Sequence, residues 1–407
     1  MPTRLRQLVL VATALGALLS VAAMPMPGPA HADGPPPAAD PFYRYAGELA
    51  AHRPGDILRL RGVAFVIDGA TVPVTSTQVL YRSTGEHGEP IAGVTTVLRP
   101  GGAARRIVSF HMAYDALGSQ CNPSYTLRGN HPSDAARVEQ AVLAGYLARG
   151  FVVAVPDYEG LRQEWTIGRQ SGQLALDGIR AALRVTRLPG STPVGMLGYS
   201  GGSVPTEFGA ELAPAYAPEL SIVGAAAGGL PVNLAHNLGY VSGSRAWAGV
   251  IPALTEVYRR TYALDVGSFL SPRGKAAIAK VRHGCIAAFA ANFPGLTSRA
   301  MVRRPYPGLL AVPSVRRAIA RNVMGTVGRP RTPLLLAVGA SDRIGDGVMV
   351  TADVAALARR YCAAGVSARF IRYAGDTHGK AFLPFERDAA AFLAARFRGE
   401  PVGGCST

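Results

Sequence analysis

The chain has 407 residues, 48% of them apolar and only 17% charged, which excludes a disordered polymer and allows one large core or two smaller ones. Its net charge of +16 raises nucleic acid as a partner, but the basic residues follow no reader motif, and that class is set aside. Four cysteines occur without a Cys-x-x-Cys pair or a His-x-x-x-His spacing, so no metal site is expected.

Residues 1–32 read as a secretory signal peptide. Arg4 and Arg6 precede an apolar run from Leu8 to Met24, and Ala30-His31-Ala32 is a small-x-small cleavage site. The expected product is secreted, extracellular or held at the cell envelope. An even number of cysteines in an exported chain predicts two disulfides among Cys121, Cys285, Cys362 and Cys405, with three pairings open.

After a proline-rich lead-in, residues 33–40, short alternating runs at Ile57–Leu60, Thr75–Tyr81 and Gly93–Leu98 predict an antiparallel start to a sheet. From Arg106 the grammar becomes strand, helix, strand. Arg106–His111, Phe151–Val155, Val194–Tyr199 and Leu220–Ala227 read as strands, with helices over Val138–Arg149 and Gly172–Thr186. Continuous apolar strands alternating with helices predict an α/β fold, a mostly parallel sheet flanked by helices on both faces.

The alternation stops at Pro231. Residues 231–328 read as helices and loops inserted into one domain spanning 33–407, with helices over Ala246–Tyr262, Gly274–Phe293 and Ser314–Met324. Strand grammar resumes at Thr332–Gly339 and Ala368–Tyr373, and Pro384–Arg396 predicts a closing helix. The stretch Pro231–Arg331 holds fifteen Lys and Arg against Glu256 and Asp265 alone. Such a basic segment suits an anionic lipid surface, or is simply a solvated basic face.

The chemistry centres on Gly198-Tyr199-Ser200-Gly201-Gly202, which ends an apolar strand and opens a helix through Glu207–Leu212. This is the elbow that exposes a serine nucleophile, with Gly198 and Gly202 needed where strand and helix crowd together. A serine hydroxyl needs a base, and a histidine base needs a carboxylate, in the chain order Ser, acid, His. Asp342 directly follows the Thr332–Gly339 strand and is expected to be the acid, with Asp346 as the alternative. Asp376 reads as a turn residue. His378, in the loop after Ala368–Tyr373, is expected to be the base, since no other histidine follows His283. For the oxyanion, the Gly201 N–H is one donor, and the loop Ala113-Tyr114-Asp115 is the place for a second. There Asp115 offers its backbone N–H or a protonated carboxyl, or it merely builds an Asx-turn.

These motifs, together with Pro41-Phe42-Tyr43, Pro54-Gly55-Asp56-Ile57-Leu58, Cys121-Asn122-Pro123-Ser124-Tyr125 and Pro156-Asp157-Tyr158-Glu159-Gly160, resemble the secretory lipase family. That family comprises α/β-hydrolases of the fungal lipase A type and their actinobacterial relatives. The resemblance implies Ser200, Asp342 and His378 as a triad, an oxyanion site from Asp115 and Gly201, and a helical cap over an acyl-binding tunnel. It also implies disulfides Cys121–Cys285 and Cys362–Cys405. Val250–Leu254 and Ile286–Phe293 are the apolar runs that would line the tunnel or fill the cap's own core. The expected function is hydrolysis of lipid esters, triacylglycerols first, without metal or organic cofactor. An acyltransferase on the same triad and a non-catalytic binding module on this fold are the rival readings.

Overall fold

The computed structural model of the protein describes residues 34–401 and 403–406. The expected signal peptide lies outside the described residues. Eleven strands follow in chain order: β1 (Ile57–Gly62), β2 (Val66–Ile67), β3 (Ala70–Thr71), β4 (Thr75–Thr84), β5 (Pro90–Arg99), β6 (Ile107–His111), β7 (Val152–Pro156), β8 (Val194–Tyr199), β9 (Ile222–Gly228), β10 (Leu334–Ala340) and β11 (Ala368–Ala374). Nine of them form one sheet in the order β1-β4-β5-β7-β6-β8-β9-β10-β11, while β2 and β3 form a small hairpin. Pairing is antiparallel from β1 through β7 and parallel from β7 to β11. The mostly parallel sheet of an α/β-hydrolase is therefore present, as the apolar runs predict.

The helices are α1 (Pro123–Thr126), α2 (Asp134–Ala148), α3 (Gly168–Thr186), α4 (Ser203–Tyr216), α5 (Leu234–Val241), α6 (Val250–Tyr262), α7 (Pro272–Val281), α8 (Ile286–Phe289), α9 (Ser298–Met301), α10 (Pro313–Ala320), α11 (Thr351–Ala363) and α12 (Phe382–Phe397). Every residue of β8 is buried, and its side chains divide between two layers. Val194 and Met196 join the cluster that includes Leu174 and Leu176 of α3 and Phe208 of α4. Leu197 and Tyr199 join Leu143 of α2 and Phe385 of α12. A strand covered on both faces has no place for alternation, which is why its sequence reads as a continuous apolar run.

Six helices, α5 to α10, occupy the stretch between β9 and β10, where the sequence leads one to expect an insertion. Gly274–Phe293 is not one helix, however. It breaks between Val281 and Ile286, where Gly284 O accepts a hydrogen bond from Leu117 N and Cys285 is tied to Cys121. A helix continued through 282–285 would need those backbone groups for its own ladder. Where the chain returns to the core, the Glu211 carboxylate on α4 accepts from Val327 N at 2.8 Å, Gly328 N at 3.0 Å and also Gly325 N. The end of the insertion is thus fastened to the helix that starts at the nucleophile turn. Both disulfides implied by the resemblance are formed, Cys121–Cys285 and Cys362–Cys405, each with Cα atoms 5.8 Å apart.

Candidate active site

Ser200 sits between β8 and α4 with φ of 53°, in the left-handed region that a non-glycine residue adopts only under constraint. The constraint is visible in its neighbours. A Cβ on Gly198 would run into the Gly202 carbonyl, and one on Gly202 into the carbonyl of His111. His111 is fully buried beneath this turn, and burial pushes its imidazole down to about 3, so it is neutral. Its Nδ1 lies 2.6 Å from Thr206 Oγ1, which in turn donates to Gly202 O at 2.8 Å. Because Thr206 spends its proton on Gly202, His111 Nδ1 is the donor of that pair, and Ser109 Oγ donates to Nε2 at 2.9 Å.

His378 reaches the turn from the loop after β11. Its Nε2 is 2.7 Å from Ser200 Oγ, and its Nδ1 is 2.9 Å from Asp346 Oδ2. Two aromatic rings fix the imidazole. Tyr199 lies 5.1 Å away centre to centre and donates its hydroxyl to His378 O at 2.6 Å, and Trp247 stands edge-on at 5.7 Å.

The acid beside His378 is Asp346, not Asp342. The loop after β10 turns back on itself, with Ser341 N and Asp342 N both donating to Gly345 O. Asp342 stays at the outer corner, where its Oδ1 accepts from Ile344 N and Gly345 N and its Oδ2 from the Tyr240 hydroxyl at 2.6 Å. The Tyr240 hydrogen bond and those two N–H groups hold its carboxyl below the usual range. Four residues on, Asp346 is 1% exposed, and its Oδ1 accepts from Val348 N and Met349 N. These bonds leave Oδ2 for His378. The sequence signal that marks it is Gly345-Asp346-Gly347: a Cβ on Gly345 would meet Met349 O, and Gly347 has φ of 106°.

Asp115 stands on the other side of Ser200. Its carboxyl lies against Gly201 so closely that a Cβ there would overlap it. Burial pushes the Asp115 carboxyl up to about 6, against the pull of the Trp165 hydrogen bond and of His378. Its backbone N–H donates to no group among the described residues. The Gly201 N–H lies in the first helical turn, where helix geometry leaves donors without partners inside the helix. The neighbouring N–H groups of the loop are taken, Ala113 N by Glu139 at 2.9 Å, Tyr114 N by Met112 O at 3.0 Å and Ala116 N by Glu159 at 3.0 Å. Trp165 and Trp247 are the site residues that sequence reasoning missed.

A narrow cavity, open to solvent on one side, touches Ser200, Gly201 and Asp115. Its apolar wall comes largely from the insertion: Leu234 and Leu238 of α5, Val250 and Leu254 of α6, and Ile286 of α8. The two runs expected to line a tunnel therefore divide, since Ile251, Ala253 and Phe289 are buried in the core instead.

A family model described as secretory lipase matches residues 131–404. Lipase A of Arthroderma benhamiae is 33% identical over 93% of this chain and 84% of its own length. A protein of Mycobacterium tuberculosis described as a probable inactive lipase is 30% identical over 90% of this chain and 83% of its own. Among solved structures, Candida antarctica lipase A in its closed state superposes with a TM-score of 0.82 at 26% identity, covering 91% of this chain and 89% of that one. No helix among the described residues is long and apolar enough to cross a membrane. The chain is a secreted α/β-hydrolase that acts on lipid esters, and it belongs to the secretory lipase family.

Proposed function

We propose that the protein is a triacylglycerol lipase working through Ser200, His378 and Asp346 by way of an acyl-enzyme. The observation that carries this reading is the single imidazole placed within hydrogen-bond distance of Ser200 Oγ on one side and Asp346 on the other. Ser200 Oγ attacks the acyl carbonyl while His378 Nε2 takes its proton, and Asp346 holds the Nδ1–H tautomer and stabilises the imidazolium. The negative charge on the carbonyl oxygen is met by the N–H groups of Gly201 and Asp115. The alcohol leaves with the proton from His378. Water, deprotonated by the same imidazole, then releases the fatty acid.

The insertion is proposed to act as a cap whose apolar wall receives the acyl chain, while its outer face meets the lipid. Thirteen of the fifteen Lys and Arg in residues 231–331 are exposed, and the remaining two, Arg259 and Arg260, pair with Glu256. The basic charge therefore faces outward, which suits an anionic surface.

The test is hydrolysis of nitrophenyl esters from acetate to palmitate, and of emulsified triacylglycerol, by wild type and Ser200→Ala. Turnover by wild type alone, rising toward medium or long chains and present on triacylglycerol, is the expected result. A maximum at acetate would make it a small-ester esterase, and acyl release into added alcohol but hardly into water would make it a transferase. No turnover by wild type would leave a binding module on this fold.

A further inference from the structure

The Asp115 side chain has one hydrogen-bonding partner among the described residues. Trp165 Nε1 donates to its Oδ1 at 2.6 Å. The charged groups around it are engaged elsewhere: Glu139 with Ala113 N, Glu159 with Ala116 N, and His378 with Asp346. Asp115 also carries φ of 34°, a left-handed conformation that its surroundings must impose. Two contacts do so. Ile286 N donates to Asp115 O at 2.9 Å, and the indole holds the carboxyl.

An indole N–H donates and never accepts, so Oδ1 is committed as an acceptor whatever the protonation of Asp115. A proton on this carboxyl therefore resides on Oδ2. Without the indole, the side chain is free to turn and cap its own loop, as aspartates in loops do, and the backbone N–H would turn with it. Trp165 is itself held from two directions. It lies in a loop with left-handed residues at Gln163 and Thr166, and its ring packs on Phe289 of the insertion, 5.7 Å centre to centre.

We infer that Trp165 is a positioning residue for the oxyanion site: its indole N–H fixes the Asp115 carboxyl and, with it, the direction of the Asp115 backbone N–H beside Ser200. This rests on the reading of Ser200 as nucleophile. Trp165 also lines the cavity at Ser200, so a direct contact with substrate would persist without the Asp115 carboxyl, whereas the positioning effect must disappear with it.

The experiment is a double-mutant cycle in steady-state kinetics on a medium-chain nitrophenyl ester. It compares wild type, Trp165→Phe, Asp115→Ala and the double variant. Trp165→Phe keeps an aromatic ring and removes the donor. It is expected to lower kcat about 10- to 100-fold with KM within about twofold, the pattern of a lost transition-state contact. In the Asp115→Ala background the same change is expected to cost less than about twofold. Wild-type kcat in Trp165→Phe, or an equal loss in both backgrounds, overturns the inference. Should Trp165→Phe not fold, Asp115→Asn and Asp115→Leu decide. The amide keeps an oxygen for the indole and is expected to retain at least about ten times the kcat of the leucine variant, and equal rates overturn the inference. Full activity in Ser200→Ala would instead bring down the nucleophile reading, and it is seen before any Trp165 variant is made.

Discussion

Asp346 and Asp342 are four residues apart on one loop, yet only Asp346 meets His378, at 2.9 Å, while Asp342 turns outward to Tyr240. The two carboxylates make an internal control for the triad. Asp346→Asn is expected to lower kcat about 10³- to 10⁴-fold, because an amide at this place favours the wrong tautomer of the imidazole. Asp342→Asn is expected to stay within about tenfold of wild type, since no step of the chemistry passes through it. Ester hydrolysis near pH 8 by the purified variants checks both, and the reverse ranking would return the acid to Asp342.

Alkaline pH is expected to weaken the fold through Glu386. This residue of α12 is buried with no partner for its Oε2 among the described residues, and burial pushes its carboxyl up to about 8. The folded state therefore holds the proton more tightly than the unfolded chain. Its contribution is complete below the ordinary glutamate value and is lost as pH rises through about 8. Glu386→Gln removes that loss. Its stability relative to wild type is expected to increase by on the order of a few kcal/mol between about pH 5 and pH 9. Urea denaturation across this range checks it, and a constant difference would exclude Glu386 as the source.

The Cys121–Cys285 bond closes a loop of 164 residues between core and insertion. The paired change Cys121→Ala/Cys285→Ala is expected to cost about 2–4 kcal/mol of stability. Activity is expected to fall further than the unfolded fraction explains, because Ala116 and Cys285 form a β-bridge at the oxyanion loop. Thermal melting and kcat at a temperature well below the transition separate the two effects.

Binding to vesicles tests the basic outer face. Adsorption to phosphatidylglycerol vesicles is expected at low salt and is expected to fall steeply toward about 0.5 M salt, where the screening length is only a few ångströms. Arg316→Glu/Arg317→Glu should weaken it, with hydrolysis of a water-soluble ester unchanged. Adsorption indifferent to salt would point to apolar insertion instead.

How much of this was legible in the sequence depended on distance along the chain. The elbow was readable because its pattern is local, an apolar strand running into Gly-x-Ser-x-Gly. Only Gly198 is demanded by a near neighbour in the chain, Gly202, while Gly202 is demanded by the His111 carbonyl. The central strands were readable because burial on both faces leaves only apolar residues. The rule that catalytic residues follow strand ends located the loop that meets His378 but not the carboxylate in it that does so. Choosing between Asp342 and Asp346 required knowing that the loop doubles back at Gly345. Trp165 meets Asp115 from 50 residues away and Trp247 meets His378 from within the insertion, and no local pattern encodes such meetings. The break in Gly274–Phe293 was hidden for the same reason, since its cause is the core loop at Leu117 and Cys121.

The oxyanion loop and the insertion share a seam, with Ile286 N on Asp115 O, Leu117 N on Gly284 O, and a disulfide alongside. An insertion that swung away from the core as one body would carry off the Ile286 partner of the Asp115 carbonyl and loosen the loop beside Ser200. Any opening that keeps these contacts has this edge as its fixed side.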